Sequence, residues 1–169
     1  MVLILILSAF MLTACSNMDN PLKEDLSKIG PEQEIEQFNI KETKDGKPNW
    51  ILNAKTAQII ESEQKVLLDA PKIDFFQKGK YVSTLISKKG RINTETYDIW
   101  GDGDCLLTTT KGETLKTKNL HYRSDTQRIV TDEKVRLIRP DEVIDGEGLE
   151  ATPDLEIIKI KNQKVTMNK

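Results

Sequence analysis

Apolar and polar residues alternate along most of the chain, but the alternation changes phase inside a strand-like segment at residues 52–59. Residues two apart share one face of a strand. Leu52 and Ala54 share a face, whereas Ala57 and Ile59 are out of phase with them. A shift from even to odd positions requires an extra residue, as in a β-bulge or a corner. The segment therefore predicts a strand that bends halfway along its length.

The same phase change returns three times, in segments 85–92, 115–122 and 144–151. Small residues, which suit a sharp bend, stand at all four bends. They are Ala54, Ser87, Thr117 and Gly146, with separations of 33, 30 and 29 residues. A near-constant period in this range is typical of a repeat architecture. The predicted unit is a bent strand, a polar turn, a second long strand and another turn.

Polar turn signals divide the chain into strands, and no segment of useful length has helical periodicity. Phe38 and Ile40 alternate with polar neighbours, and Asp45-Gly46 is a tight-turn signal between this segment and the strand that follows. The predicted strands are 49–60, 66–76, 81–93, 99–110, 114–123, 128–139, 143–152 and 156–167. Consecutive hairpins predict an antiparallel sheet, and bent strands let two sheets continue into each other at corners. We therefore expect an all-β fold, a twisted antiparallel β-jelly roll or open sandwich of hairpin repeats.

The apolar residues on the inner faces line either a solid core or an open trough that accepts acyl chains. The candidate groove residues are Trp50, Leu52, Ile59, Leu68, Ile73, Phe75, Leu85, Ile92, Leu107, Leu115, Leu120, Ile129, Val135, Leu137, Ile144 and Leu149. Ile99, Tyr122 and Ile158 are further interior candidates. The set is rich in Leu and Ile and poor in large aromatic residues, which suits an acyl-chain lining.

Composition and charge exclude several functions. The formal net charge is −2, so the overall balance does not favour a nucleic-acid partner. One histidine and two cysteines cannot form a Cys/His zinc cluster. His121 takes the strand position that Gln58 holds in the first repeat, so we interpret it as an outward polar residue. Cys105 is interpreted as a small buried residue rather than a reactive thiol.

Three aspartates recur at the end of a second repeated motif, between the bent strands. They are Asp69, Asp102 and Asp132. Their recurrence favours turn chemistry over catalysis. No set of acid, base and nucleophile is visible, and the chain has no phosphate-binding Gly-x-x-x-x-Gly-Lys-Ser/Thr loop. The sequence therefore predicts a protein that is not an enzyme, with no catalytic residue, metal or cofactor.

The N-terminus reads as an export signal. Val2 to Leu12 form an apolar run that is too short to span a bilayer but fits the apolar core of a signal peptide. It ends in Leu12-Thr13-Ala14-Cys15, which resembles the bacterial lipobox and predicts lipid attachment at Cys15. The alternative is an ordinary signal cleaved after Ala14. We expect a signal peptide at 1–14, a polar tether at 15–34 and a periplasmic β-domain at 35–169.

These features together resemble the LptC family, the membrane-anchored periplasmic component of lipopolysaccharide export. Residues 46–57 are similar to the first hairpin of that family, with its Asp-Gly-Lys-Pro turn and following aromatic residue. Residues 68–73 are similar to a strand with an internal proline, and residues 145–151 to a Gly-x-Gly-Leu-Glu-Ala strand near the C-terminus. The likeness covers about Glu34 to Val165. Order, spacing and anchor together make it specific.

The resemblance implies that residues 35–169 form a β-jelly roll of the OstA-like type. This domain would act as an adaptor between an inner-membrane ABC transporter and a soluble bridge protein of the same fold. Lipopolysaccharide would pass along an apolar groove, and the partners would add strands edge to edge. The N-terminal edge, with Ile35, Phe38 and Ile40, would face the transporter. The C-terminal edge, with Ile158, Ile160 and Val165, would face the bridge protein.

Two points leave alternatives open. Many family members are held by a transmembrane helix, whereas this chain has a lipobox. Ser16 follows the cysteine, so the lipoprotein could be sorted either to the outer membrane or to the inner membrane. The bridge protein shares the repeat and is a second interpretation, but it normally lacks an anchor, so Cys15 separates the two. A third interpretation is a structural or protein-binding β-sandwich lipoprotein with a solid core and no lipid cargo.

Overall fold

The computed structural model describes residues 33–167, and these form twelve strands and one short 3-10 helix, Glu61–Glu63. The strands are β1 (Gln33–Lys44), β2 (Lys47–Ile60), β3 (Lys65–Asp69), β4 (Lys72–Gln77), β5 (Lys80–Ile86), β6 (Lys89–Asn93), β7 (Ile99–Thr109), β8 (Thr114–Arg123), β9 (Arg128–Ile138), β10 (Glu142–Ala151), β11 (Ile158–Ile160) and β12 (Lys164–Met167). Each is antiparallel to its partners.

The strands form one continuous sheet that folds into two layers along a corner. Residues 50–53 of β2 pair with β4, and residues 56–60 of the same strand pair with β3. We call the side that contains β4, β5 and β12 layer one, and the side that contains β3, β6 and β11 layer two. The long strands β1, β2, β7, β8, β9 and β10 run through both layers. The predicted all-β open sandwich of bent strands is confirmed.

The predicted phase changes lie at this corner. In β2 the buried positions change from 50, 52 and 54 to 57, and in β8 from 115 and 117 to 120 and 122. The pairing register shifts at the same places, for example between Thr117 and His121 in the β8–β9 pair. Hydrogen bonds link the corner from strand to strand, including Lys88 N–H to the Gly103 carbonyl at 2.9 Å. The extra residue at each bend lets the same strand bury its apolar residues in both layers.

Three predicted strands are interrupted at the corner rather than continuous. The segment 66–76 breaks at Ala70, where φ is +47°, and at Pro71, which has no N–H for the ladder. The segment 81–93 breaks at Ser87 and Lys88, and the last predicted strand breaks at residues 161–163. Backbone groups at these breaks pair with one another, as in Ala70 N–H to the Lys88 carbonyl at 2.9 Å. These strands therefore cross the corner in two pieces.

The hairpin ends follow the turn chemistry of the sequence, but the aspartate motif does not lie in turns. Asp45 and Gly46 both have positive φ, as a two-residue type I′ turn requires. Asp69, Asp102 and Asp132 instead stand in strands beside the corner, so their interpretation as turn residues was wrong. The sheet bends where each motif ends, which accounts for its recurrence.

Candidate functional site

One apolar row crosses the whole inner face of layer one with a single residue from each strand. In register order it is Ile40, Leu52, Ile73, Leu85, Leu107, Leu115, Leu137, Ile144 and Val165. The members from Leu52 to Ile144 are buried, whereas Ile40 at one edge is partly exposed and Val165 at the other edge is exposed. Four neighbouring strands at the centre of the row, β5, β7, β8 and β9, each contribute a leucine. We call this set the leucine row.

A second apolar row crosses layer two from β2 to β11, whereas the β1 residue opposite its first member is the exposed Gln33. The row consists of Ile59, Val66, Ile92, Ile99, Tyr122, Ile129, Ala151 and Ile158. The inner faces of the two layers pack together, and the rings of Phe75 and Tyr122 meet across the interface with centroids 5.0 Å apart. The apolar interior therefore extends from the first strand of the sheet to the last.

Most of the predicted groove residues belong to this interior. Trp50, Leu68, Phe75, Leu120, Val135 and Leu149 are buried on the inner faces beside the two rows. Ile59 is only partly buried, because it lies near the edge of layer two beside β1. Residues that the sequence reasoning missed include Val66, which alternates with Leu68, and Leu155, which is buried although it lies in the loop after Pro153. Alternation could have identified Val66, but no local signal marks Leu155.

The two layers diverge at the hairpin ends, where a cavity of about 560 Å³ opens above the interior. We call this cavity the mouth. Its rims come from the β1–β2 and β4–β5 turns of layer one and from the β8–β9 turn and residues 152–157 of layer two. Phe75 and Tyr122 lie at its base, so the mouth leads directly to the apolar interior.

Hydrogen bonds close the base of the mouth. Asn49 Nδ2 donates to the Tyr122 hydroxyl at 3.2 Å, and Gln127 Nε2 donates to Asn49 Oδ1 at 2.9 Å. Burial raises the pKa of Tyr122 to about 12, although the hydrogen bond from Asn49 opposes that shift. The three polar side chains link layer one to layer two, so a molecule that enters from the mouth must separate them.

The loop at residues 152–157 covers the neighbouring part of the opening. Leu155 is buried in the core, and its carbonyl accepts from Arg139 Nη2 at 3.5 Å. Glu156 forms an ion pair with Lys111 in the β7–β8 turn, with 2.8 Å between Nζ and Oε1. Asp154 accepts from its own loop, through Glu156 N–H at 3.1 Å. These contacts hold the loop across the gap between the layers.

The predicted partner-edge residues all lie on edge strands. Ile35, Phe38 and Ile40 belong to β1, which pairs with β2 alone among residues 33–167. Ile158 and Ile160 belong to β11 and Val165 to β12, and both strands pair only with β10 within that range. Backbone groups along the outer side of these strands therefore have no strand partner in the described part of the chain.

The remaining candidate side chains show no catalytic arrangement among residues 33–167. His121 stands on the outer face of layer two, as predicted, where it stacks on Trp100 at 4.3 Å and contacts Asp98 at 3.1 Å. Cys105 is buried, and burial raises its pKa to about 12, so the thiol stays protonated. In the described range no group of three or more His, Cys, Asp and Glu side chains could hold a metal ion.

The predicted signal peptide, the lipid-attachment residue Cys15 and most of the tether lie outside the described residues. Within residues 33–167, no helix is long and apolar enough to cross a membrane.

The protein is an open β-jelly roll of bent antiparallel strands, and its partly buried edge residues pack against the apolar core. The family model described as lipopolysaccharide-assembly, LptC-related, matches residues 1–168, and the chain belongs to that family. This membership supports a periplasmic role in lipopolysaccharide transport.

Comparison with solved structures supports the fold. The chain is similar to LptH, the LptA-homologous periplasmic component of the lipopolysaccharide transport device from Pseudomonas aeruginosa, with a TM-score of 0.54. The two are 9% identical, and the match covers 71% of this chain and 94% of that one. No curated protein matches the sequence significantly.

Proposed function

We propose that this protein is a non-enzymatic adaptor of lipopolysaccharide export. It accepts lipopolysaccharide from an ABC transporter in the inner membrane and passes it to a periplasmic bridge protein of the same fold. A lipid on Cys15 holds it at the periplasmic side of the inner membrane, and the polar segment 15–34 is the tether.

The continuity of the apolar interior carries this proposal. The leucine row has one member from each strand of layer one, from β1 to β12, and the row of layer two runs parallel to it. An isolated core would need apolar residues only in its centre. Here Phe38, Ile40, Ile158 and Ile160 extend the interior to both edges and pack against the core. An acyl chain can therefore stay in contact with apolar residues along the whole sheet.

Binding would come from burial of the acyl chains between the layers. Each CH₂ group removed from water contributes about 0.8 kcal/mol, so several long chains outweigh any single polar contact. The chain itself supplies no energy source, because it has no phosphate-binding loop. Direction must therefore come from the transporter.

The two edges would meet different partners. Strand addition satisfies the free N–H and C=O groups of an edge and aligns the neighbouring sheets. We assign β1 to the transporter, because β1 follows directly on the membrane tether. The other edge, formed by β11 and β12, is assigned to the bridge protein. Each junction would continue the leucine row into the next sheet.

Photo-crosslinking tests the interior. A photoreactive residue replaces Leu85, Leu115 or Ile129, which are buried on the inner faces. Matched controls replace the next residue in the same strand, Ile86, Lys116 or Val130, because successive side chains point to opposite faces. We expect lipopolysaccharide adducts at inner positions and few at outer ones. Equal yields at both sets, or no adducts at all three inner positions, would refute lipid passage through the interior.

A second candidate function is a protein-binding lipoprotein with a solid core. It is favoured by the tight closure of the interior, since Leu52, Leu107 and Leu115 have no exposed surface. This function predicts edge-to-edge partners but no lipid adducts. It also predicts that depletion leaves outer-membrane assembly intact.

A further inference from the structure

Three buried polar atoms without a hydrogen-bond partner lie in one cross-strand row of layer one. Among residues 33–167, these atoms are Glu42 Oε2, Trp50 Nε1 and Ser83 Oγ. Glu42 pairs in register with Trp50, Trp50 with Phe75, and Phe75 with Ser83. We call this set the polar row. Buried polar atoms without a partner are few in native proteins, and three in one register line would gain partners from the polar groups of a ligand.

The polar row lies between the mouth and the leucine row. Phe75, which stands between Trp50 and Ser83 in the register, lines the mouth. Glu42 is close enough to Tyr122 at the base of the mouth to raise the pKa of that hydroxyl. Along β2, Asn49 lines the mouth, Trp50 belongs to the polar row and Leu52 to the leucine row. From the mouth to the interior, a ligand would therefore meet first the polar rim, then the polar row and then the apolar leucine row.

The rim of the mouth carries excess positive charge. Lys44, Lys47 and Lys78 come from layer one and Arg128 from layer two, against the two carboxylates of Asp45 and Asp154. The ion pairs of the described residues include none of these four cations.

Two other cavities of the described residues lack this excess. The cavity on the outer face of layer two is lined by three Lys or Arg side chains and three carboxylates. The third cavity is lined by two Lys or Arg side chains and two carboxylates. A cationic rim in a chain of net charge −2 favours an anionic group at the mouth.

We infer that the mouth binds the junction between head group and acyl chains of a phosphorylated, hydroxyacylated lipid. The rim cations bind the phosphate, and charge-assisted hydrogen bonds of this kind are strong. Trp50 N–H and Ser83 O–H donate to carbonyl oxygens of the acyl linkages, and Glu42 accepts from a chain hydroxyl. The hydrocarbon lies on the leucine row. This inference rests on the proposed function, since it assumes that acyl chains enter the interior.

The volume of the mouth fits such a role. A cavity of about 560 Å³ lies in the range of about 300–1,000 Å³ that is usual for small-molecule sites. It holds the junction of a lipid rather than the whole lipid, so the chains must part the hydrogen bonds among Asn49, Tyr122 and Gln127. The site thereby fixes the orientation of the lipid, with its head group outside.

Charge-matched variants of the full chain test the rim. The rim variant combines Lys44→Gln, Lys47→Gln, Lys78→Gln and Arg128→Gln. Its control combines Lys55→Gln, Lys116→Gln, Lys118→Gln and Lys134→Gln, four exposed lysines away from the mouth. The probes are lipid A with both phosphates and the same lipid without them. We expect the rim variant to lose at least tenfold in affinity for the first probe and less than twofold for the second, with no loss in the control.

Ser83→Ala tests the polar row. Removal of an unpartnered buried hydroxyl should leave stability unchanged or raise it, because no internal hydrogen bond is lost. The probes are a 3-hydroxytetradecanoyl glucosamine phosphate and tetradecyl phosphate, which has neither carbonyl nor chain hydroxyl. We expect Ser83→Ala to weaken only the first, by about threefold to tenfold. Equal effects on both would assign the hydroxyl to packing and overturn this part of the inference.

The outcomes separate this inference from the proposed function. If the unaltered chain binds neither form of lipid A, the proposed function fails, and the mouth site fails with it. If it binds both forms and the rim and control variants behave alike, lipid carriage stands and the mouth site alone is refuted.

Discussion

Leu107→Ala measures how tightly the two layers are closed in the absence of lipid. Leu107 lies at the centre of the leucine row, between Leu85 and Leu115, and has no exposed surface. Substitution of a fully buried leucine by alanine costs about 2.7–5.0 kcal/mol, because the cavity left behind adds to the lost transfer free energy. We expect about 3–4 kcal/mol here, since neighbours on both sides are held by the ladder. That is a large part of a typical stability of about 5–15 kcal/mol.

The assay is equilibrium unfolding of the full chain in urea, followed by far-UV circular dichroism. Leu106→Ala is the matched control, because Leu106 is the preceding residue of β7 and lies on the opposite face, where it is only partly buried. We expect the control to cost less than about 1 kcal/mol. The denaturant slope should be the same in both variants, because the surface exposed on unfolding hardly changes.

A cost at Leu107 as small as that at Leu106 would refute the closed core. The interior would then be hydrated in solution, with the layers apart, and the leucine row would be an open trough before lipid arrives. A full cost at Leu107 means that lipid must displace well-packed side chains, so entry requires energy from a partner.

Three further predictions concern the glycine at the corner, the buried thiol and phenol groups, and the lipid anchor. Gly146→Ala should loosen the last two strands, because an added Cβ would lie 2.9 Å from the Lys161 carbonyl; faster hydrogen exchange confined to residues 158–167 checks this. The raised pKa values of Cys105 and Tyr122, both about 12, should make the free energy of unfolding fall as pH rises above about 9, since the unfolded groups lose protons first. In the double variant Cys105→Ala, Tyr122→Phe, the free energy of unfolding from urea titrations should depend less on pH above about 9. The same pH dependence as in the unaltered chain would contradict this. Cys15→Ser should release the protein from membranes, and mass spectrometry of the mature N-terminus should find a lipid on Cys15 in the unaltered chain.

Much of the site was predictable because one inner face repeats from strand to strand. Leu52, Leu85 and Leu115 occupy equivalent places in three repeats, so one correct phase assignment places all of them inside. Glu42 and Ser83 had no such signal, since a polar residue in an alternating strand normally points outwards. Only the pairing of β1, β2, β4 and β5 brings them into one row with Trp50. The cationic rim was hidden for the same reason, because Arg128 is distant in sequence from Lys44, Lys47 and Lys78.

The repeated phase change at Ala54, Ser87, Thr117 and Gly146 determined the bent strands, the corner and hence the open sandwich. It could do so because side-chain alternation is a local property of the backbone, and a single extra residue reverses it. Tertiary structure alone decided where strands break, how the mouth closes and which polar atoms stay unpaired. Those features depend on register between distant strands, and a shift of one residue would turn each side chain to the other face.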